Sequence, residues 1–318
     1  MHANGILKAA RCVGLKLLQL AVALVLSLAA TAHAGSGAAN PMVYTYPPPE
    51  SGEDQRFVYY WNLLKSALEA TVPKWGPYVL APSDVVMNAD RSQVLLMDSK
   101  TITLLVRTTS IERESLMRPV RIPLDKGLTG YRLFLIQKPT QSRLQRVRSL
   151  NDLKAFSIGQ GHTWVDTQIL RHSGLTVEAG ASYASLFKML QGQRFDLFSR
   201  GVNEISNELR AGIASNPDLA IEENLMLYYP LPRYFFFTRS AEGEQLALRT
   251  EEGLRMLMAN GQFDRLYRVY KREVLADLKL EGRRVFRIPN PTLPPSTPLA
   301  RADYWDTLAE ELRVKAPR

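Results

Sequence analysis

The chain has 318 residues, with 40 Lys and Arg against 31 Asp and Glu, which gives a formal net charge of +9. This mild basicity comes without a basic stripe interleaved with aromatic residues, so nucleic acid is excluded as an expected partner. The single cysteine, Cys12, lies in the apolar N-terminal region. The rest of the chain therefore has neither disulfides nor Cys-ligated zinc.

The first 34 residues have the pattern of a secretory signal peptide. Basic residues precede an apolar run of roughly 14 residues, which is shorter than the ~20 that span a bilayer. Ala32 and Ala34 supply small side chains at the two positions that signal peptidase reads. We expect cleavage after Ala34 and a mature protein in the bacterial periplasm, without a lipid anchor. Loss of Lys8, Arg11 and Lys16 with the signal lowers the formal charge from +9 to +6.

At the start of the mature chain, strands and helices are predicted in alternation. A short strand at 43–46 stops at three consecutive prolines. Apolar and aromatic residues then recur at helical spacing from Phe57 to Leu68, which predicts a helix. The elements that follow are a strand at 78–81, a helix at 91–98 and a strand at 102–107, whose continuous apolar run is typical of burial on both faces.

From Ser149 onward the alternation is regular, and short helices separate short strands. Such an order predicts an α/β fold with a doubly wound, mostly parallel sheet. Apolar strands at 131–137 and 234–238 flank this unit, and we interpret them as crossings between two halves of the molecule. The predicted elements of the unit are strand 156–159, helix 164–173, strand 175–178, helix 183–191 and strand 195–198.

After the second crossing, helices are predicted at 244–259 and 262–278 from their apolar stripes. The segment 287–300 contains five prolines, so it is not expected to be helical. A short terminal helix is predicted at 303–314.

The stretch Gly159-Gln160-Gly161-His162-Thr163 joins a predicted strand to a predicted helix. Thr163 and Asp166 have the spacing of a capping pair, which predicts a helix that begins at Thr163 and directs its free N–H groups at an anionic oxygen. A P-loop and a G-x-G-x-x-G motif are both absent from the sequence, so a nucleotide site is not supported. His162 lacks further ligands at metal spacing. Contact with a ligand and a plain turn role remain open for it.

Several short segments, in the same order along the chain, resemble segments of one protein family. Val43 to Pro48 resembles its first strand and aromatic-proline turn, Thr108 to Arg113 its S/T-x-T-x-x-R segment, and Ile158 to Thr163 its V-G-x-x-x-G-T-T turn. Gly192 to Asp196 and Asn260 to Tyr267 resemble a strand start and a helix entry of the same family. The sequence is similar to the type II periplasmic solute-binding proteins, in particular the polar amino acid (family 3) binding proteins of ABC transporters.

The resemblance implies two α/β lobes, each built on a doubly wound, mostly parallel sheet. The lobes would be joined by two crossing strands, with a cleft that closes on the ligand by hinge motion. Lobe one would be discontinuous and comprise residues 35–135 and 234–318, including a proline-rich tail at 287–318. Lobe two would comprise residues 136–233.

The resemblance also implies roles for individual residues. Arg113 would hold a ligand carboxylate with its planar guanidinium, and Ser110 and Thr108 would add hydrogen bonds. The alternative for Arg113 is a surface arginine in a run of charged residues. The further contacts implied are Gly161, His162 and Thr163 on the same carboxylate and Tyr46 on the body of the ligand.

The sequence departs from the family where the ligand's α-ammonium group is bound. The family usually has an aspartate shortly after the position of Asp196, and this chain has Arg200 and Gly201 there. Glu204 could replace that carboxylate. Two arginines near one pocket, Arg113 and Arg200, would instead favour a dianionic or non-amino ligand. The structural alternative is an internal ion pair between Arg200 and Glu204.

The function expected from these features is the binding of a small anionic or zwitterionic solute, without catalysis, cofactor or metal. The protein would act as a monomer that delivers the solute to an inner-membrane ABC permease. A first alternative is a ligand sensor that signals to a membrane receptor. A second is an enzyme similar to the cyclohexadienyl dehydratases of the same fold, which would need a buried general acid with a raised pKa. Glu204 and His162 are the candidates for that acid.

Overall fold

The computed structural model describes residues 40–49, 55–87, 89–98 and 100–314. The predicted signal peptide lies outside these residues. The elements below belong to one compact unit, Met42–Arg318. None of the helices in the described part of the chain is long and apolar enough to cross a membrane.

Strands and helices alternate along most of the chain, as the sequence pattern predicts. In chain order, the strands are β1 Met42–Tyr46, β2 Tyr78–Pro82, β3 Leu104–Thr108, β4 Arg118–Val120, β5 Tyr131–Gln137, β6 Ser157–Gly161, β7 Thr176–Gly180, β8 Leu197–Gly201, β9 Leu219–Ile221, β10 Leu225–Tyr228, β11 Arg233–Phe237 and β12 Arg284–Arg287. The α-helices are α1 Val58–Trp75, α2 Ala89–Asp98, α3 Ile111–Leu116, α4 Gln141–Leu144, α5 Leu150–Leu153, α6 Val165–His172, α7 Tyr183–Gln191, α8 Ile205–Gly212, α9 Ala241–Ala259, α10 Gln262–Leu275 and α11 Ala309–Leu312.

The first of two sheet layers contains β1, β2, β3, β4 and β11, and we call it the first sheet. β1 and β2 are parallel, and β11 lies antiparallel between β3 and β4. Thr103 joins the two groups of strands. Its N–H donates to the Thr45 carbonyl (2.8 Å), and its hydroxyl oxygen accepts from the Thr45 N–H (2.9 Å).

Helices α1 and α9 pack against each other beside the first sheet. The α1 side chains Tyr60, Leu64 and Leu68 are fully buried and lie four residues apart, which makes one apolar stripe. Gly253 of α9 lies directly against the main chain of Ala67, and a Cβ at this position would overlap the Ala67 carbonyl oxygen. The close approach of the two helices therefore depends on this glycine.

The second layer, which we call the second sheet, has the strand order β12-β10-β5-β8-β6-β7, with β9 beside β5. β6 is parallel to β7 and β8, and β10 is parallel to β12. β5 is antiparallel to β8, β9 and β10, so the sheet is mixed rather than mostly parallel. Every residue of β5 is buried, and the strand lies between β10 and β8 in the interior of the sheet. An uninterrupted apolar run of this kind is stable there because neighbouring elements cover both of its faces.

In the described residues, the chain passes between the part built on the first sheet and the part built on the second sheet at four places. The connection 121–130 leads from β4 to β5, and the connection 229–232 leads from β10 to β11. The strands interpreted as crossings, 131–137 and 234–238, directly follow these connections, as β5 of the second sheet and β11 of the first. The third passage, 276–283, leads from α10 to β12, which pairs with β10 of the second sheet. The last is the segment after β12, where the Thr292 carbonyl accepts from the Ile111 N–H of α3 (2.8 Å). Part of the segment that the sequence assigns to lobe one therefore lies on the second sheet. The lobe boundaries themselves stay a prediction.

The terminal region also differs from the predicted helix at 303–314. A 3-10 turn, Ala302–Tyr304, is followed by α11, and the residues between them are irregular. Asp306 accounts for the break, because its carboxylate accepts from the Leu308 N–H (2.8 Å) and from Tyr267 Oη (2.8 Å) of α10. Tertiary contacts thus replace the continuous helix.

Candidate ligand-binding site

Four of the predicted site residues lie at the carboxyl ends of strands. Tyr46 is the last residue of β1, Thr108 of β3 and Gly161 of β6, while Arg200 precedes the last residue of β8. Ligands of α/β sheets bind outside the carboxyl ends of the strands. The predicted residues are therefore divided between strand ends of the first sheet and strand ends of the second sheet.

At the end of β3, Ser110 caps helix α3, and its hydroxyl oxygen accepts from the Arg113 N–H (3.1 Å). The half-buried Arg113 guanidinium donates from Nη1 to the Thr108 carbonyl and from Nε to Oε1 of Gln93 (3.3 Å). These contacts fix the guanidinium beside the strand end. Its role as a carboxylate anchor stays a prediction.

At the end of β1, Tyr46 stacks on Trp61, with ring centroids 4.3 Å apart and planes inclined by 24°. The ring centroids of Trp61 and Phe235 of β11 are 6.2 Å apart, with planes inclined by 27°. Burial raises the pKa of Tyr46, so its phenol stays neutral at physiological pH. The strand end therefore carries an aromatic wall.

At the end of β6, the glycine stretch is covered by an indole ring. Trp164 packs so closely on Gly161 that a Cβ there would lie 2.5 Å from Cε2 of the indole. His162 is exposed, and its N–H donates to the Gly180 carbonyl (3.1 Å), while its ring Nδ1 lies 3.3 Å from the same oxygen. Thr163 is exposed as well.

The capping pair predicted for Thr163 and Asp166 does not form. Helix α6 begins at Val165 and has no side-chain cap. Asp166 instead accepts hydrogen bonds from Nη2 of Arg132 and from the Tyr229 hydroxyl, both of which are buried. An unpaired buried guanidinium costs about 3–5 kcal/mol, whereas a lost cap costs about 1 kcal/mol, so the ion pair prevails.

Arg200 lies in a buried ion-pair network. Its Nε donates to Oε2 of Glu208 (2.7 Å), and its Nη2 lies 3.1 Å from Oε2 of Glu204. The guanidinium also lies over the rings of Trp164 (4.9 Å) and Phe198 (5.2 Å). The structure thus contains the internal ion pair considered as an alternative. Two carboxylates thus neutralise the Arg200 guanidinium, and a role of Arg200 as a ligand contact stays a prediction.

Glu204 lies among three guanidinium groups. Its Oε2 is 3.1 Å from Arg200 and 3.8 Å from Arg132, and its Oε1 is 3.3 Å from Arg233. Burial by itself raises the pKa of Glu204, but Arg200, Arg233 and Arg132 outweigh it and lower the pKa to about 2. The carboxylate is therefore charged at neutral pH, with 18% of its side chain exposed.

The sequence did not reveal most members of this network. Arg132 and Arg233 stand in otherwise apolar strands, YRLFLIQ and RYFFF, and a charge in such a strand indicates a buried partner. The partners could not be named because they lie far away in the chain. The carboxyl groups that surround the three arginines are Asp125, Asp166, Glu204 and Glu208.

The network holds more carboxyl groups than guanidinium groups, which disfavours it as a site for a dianion. Asp125 is fully buried; burial raises its pKa, and Arg233 and hydrogen bonds from Thr129 and Gly127 oppose the increase. Among the described residues, no group of three or more His, Cys, Asp or Glu side chains could hold a metal ion.

A cleft of about 510 Å³ lies beside Glu204, between the start of α1, the start of α8 and helix α10. This volume lies in the range of small-molecule sites. Tyr59 and Tyr270 stack at 4.1 Å in its wall, and Nδ2 of Asn203 donates to the Tyr270 hydroxyl (3.3 Å). Of the predicted site residues, Glu204 lines this cleft.

No family model and no curated protein matches the sequence. Among solved structures, an ancestral arginine-binding protein bound to arginine matches with a TM-score of 0.50 and 16% identity, over 72% of this chain and 98% of that chain. A periplasmic binding protein of Salmonella typhimurium with high arginine specificity matches with a TM-score of 0.50 and 14% identity, over 71% and 98% of the two chains. This chain has the type II periplasmic-binding-protein fold.

The α/β architecture predicted from the sequence is thereby confirmed. We call the part of the chain built on the first sheet the first lobe and the part built on the second sheet the second lobe. Arg233 comes from β11 of the first lobe, and its Nη2 reaches Glu204 at the start of α8 in the second. At these low identities the likeness shows the fold alone, and the arginine ligands belong to the two matched proteins.

Proposed function

We propose that the protein binds a small zwitterionic or anionic solute in the periplasm and delivers it to an inner-membrane ABC transporter. The observation that supports this most is the position of Arg233. Its main chain pairs with Thr108, and its side chain reaches Glu204. The segment Thr108 to Arg113 therefore lies in the same region as a charged carboxylate. Arg113 and Ser110 would bind the ligand carboxylate, and the partly exposed Glu204, which lines the neighbouring cleft, would accept a hydrogen bond from the ligand's amino group.

The first experiment is to identify the solute. Protein purified from the periplasm without refolding is denatured, and the small molecules that it releases are identified by mass spectrometry. A thermal-shift panel then compares amino acids with matched dicarboxylates and keto acids. We expect a ligand with a carboxylate and an amino group to raise the melting temperature. If none of the three classes binds, the proposed function is wrong.

Hinge closure on the ligand is part of this proposal, because each lobe would supply part of the site. Small-angle scattering with and without the identified ligand tests it. A decrease in the radius of gyration is expected, and unchanged dimensions at saturating ligand would remove closure from the proposal.

Sensing is the second candidate role, and uptake measurements distinguish it from transport. Deletion of the gene should abolish uptake of the labelled ligand if the protein serves a permease. Normal uptake together with a lost transcriptional response to the ligand would indicate a sensor instead.

An enzymatic role is disfavoured by the pKa of Glu204. A general acid needs a carboxyl group that is protonated near neutral pH, and the pKa of Glu204 is lowered to about 2. His162, the other candidate, is exposed at the end of β6 rather than buried. We therefore propose that the protein binds its ligand without transforming it.

A further inference from the structure

The C-terminal segment 284–312, which we call the C-terminal strap, runs from one lobe to the other. It begins as β12, paired with β10 on the second sheet. A few residues later it reaches the first lobe, where the Thr292 carbonyl accepts from the Ile111 N–H (2.8 Å) at the start of α3. The strap thus contacts the segment in which the carboxylate-binding residues are predicted.

The strap is bound to the connection between β10 and β11. Nδ2 of Asn290 donates to the Pro230 carbonyl (2.8 Å) in this connection. Oδ1 of the same amide accepts from the Thr292 N–H (2.9 Å) and the Thr292 hydroxyl (2.7 Å). Because both ends of the amide are used, the side chain of Asn290 fixes the strap to the connection.

The strap is also bound to the connection between β4 and β5. Gly127, with φ of 73°, lies against the Trp305 ring, and a Cβ there would be 2.5 Å from Cε3 of that ring. The Trp305 indole N–H donates to the Pro298 carbonyl (3.0 Å), which holds the ring in place. The next residue, Asp306, donates its N–H to the Lys126 carbonyl (2.8 Å) and accepts from the Tyr131 hydroxyl (3.1 Å) at its own carbonyl.

The Asp306 side chain anchors this part of the strap to α10. Its carboxylate accepts from Tyr267 Oη (2.8 Å) and lies 2.7 Å from Nζ of Lys271, which also pairs with Glu311 at 2.7 Å. Burial raises the pKa of Asp306, but hydrogen bonds from Lys271, Leu308 and Tyr267 outweigh it, so the pKa is lowered. The anchor is a partly buried carboxylate that is charged at neutral pH.

We propose that the C-terminal strap restrains hinge motion between the two lobes. Lobe movement in this fold requires dihedral changes in the connections 121–130 and 229–232. The strap contacts both connections: Asn290 binds 229–232, and Trp305 and Asp306 bind 121–130. Separation of the lobes would therefore break these contacts. The free protein is therefore held near the arrangement of the present structure. This inference goes beyond the proposed function and does not depend on the ligand.

Distance measurements between the lobes test the restraint without any ligand. Spin labels are attached at Lys65→Cys on α1 and Lys188→Cys on α7, both exposed positions, in a Cys12→Ser background. Double electron–electron resonance is recorded for this parent and for the parent carrying Trp305→Ala and Asp306→Asn. We expect a broader distribution, shifted to longer distances, in the variant without the anchor. A distribution identical to that of the parent would overturn the proposal.

Two further variants separate the restraint from a general loss of structure. Leu299→Ala changes an exposed side chain of the same strap and should leave the distribution unchanged. Asn290→Ala removes the hydrogen bonds to Pro230 and Thr292, leaves the Trp305 and Asp306 contacts in place, and should shift the distribution in the same direction as the double variant. If circular dichroism shows that the double variant is unfolded, Asn290→Ala decides: a shift supports the restraint, and an unchanged distribution refutes it.

Discussion

The Arg233 guanidinium lies 3.3 Å from the Glu204 carboxylate, and this contact joins the first lobe to the second. Arg233 belongs to β11, whereas Glu204 precedes α8 at the end of β8. Arg200 and Arg132 approach the same carboxylate from strands of the second sheet. A change at Glu204 therefore affects groups in both lobes.

Glu204→Gln is expected to lower the free energy of unfolding by about 3 kcal/mol, because it leaves buried guanidinium groups without their shared counter-charge. Urea unfolding at pH 7, followed by circular dichroism, measures the change. Glu273→Gln, on an exposed position of α10, is the matched control and should change the free energy by less than about 0.5 kcal/mol. A loss for Glu204→Gln as small as that of the control would contradict the role of the network.

The same carboxylate makes stability depend on pH. The pKa of Glu204 is lowered from 4.5 to about 2 in the folded state. Its stabilising contribution is therefore complete above the unfolded pKa of 4.5 and is lost as the pH falls toward 2, by about 3 kcal/mol in total. Urea unfolding at several pH values between 6 and 3 should show a shallower decrease for Glu204→Gln than for wild type. Parallel curves would show that Glu204 does not titrate in this way.

Arg113→Ala is expected to weaken binding of the identified ligand by about 2–5 kcal/mol if this guanidinium pairs with a buried carboxylate. Isothermal titration calorimetry at pH 7 provides the dissociation constants. Arg146→Ala removes an exposed arginine of the second lobe and serves as the control. Equal affinities for wild type and Arg113→Ala would place the carboxylate elsewhere.

Arg200→Ala is expected to lower stability by about 3–5 kcal/mol, since it leaves the buried Glu208 without its guanidinium partner and removes one of the three guanidinium groups around Glu204. It should leave the ranking of amino acids, dicarboxylates and keto acids in the thermal-shift panel unchanged, because Arg200 is already paired. A variant that loses dicarboxylate binding selectively would show that Arg200 contacts the ligand after all.

The sequence predicted the strands and helices well wherever local pattern decides them. β5 was predicted at its observed bounds, because seven buried residues form one uninterrupted run. Helix α7 was also predicted correctly, since its apolar residues recur at helical spacing before Gly192. Both elements bury their apolar faces in the way that the period of the sequence requires.

The candidate site was only partly accessible from the sequence. The positions of Thr108, Gly161 and Arg200 at strand ends follow from the predicted elements. The capping role predicted for Asp166 was wrong, because its carboxylate pairs with Arg132 of β5 instead. The two residues are distant in the chain, so local pattern does not indicate this contact. The pairing of Arg200 with Glu208 depends on the turn between β8 and α8, which local pattern does not specify.

By itself, the sequence determined the α/β class, the order of most elements and the strand ends at which the candidate site residues lie, because these depend on the periodicity of neighbouring residues. Only the tertiary structure decided the mixed order of the second sheet, the return of β12 to it, and the surroundings of Glu204. Each of these depends on contacts between residues that are far apart in the chain, such as Arg233 with Glu204 and Asp306 with Lys271. Their energies come from burial and charge pairing after the lobes have packed, and no local pattern records them.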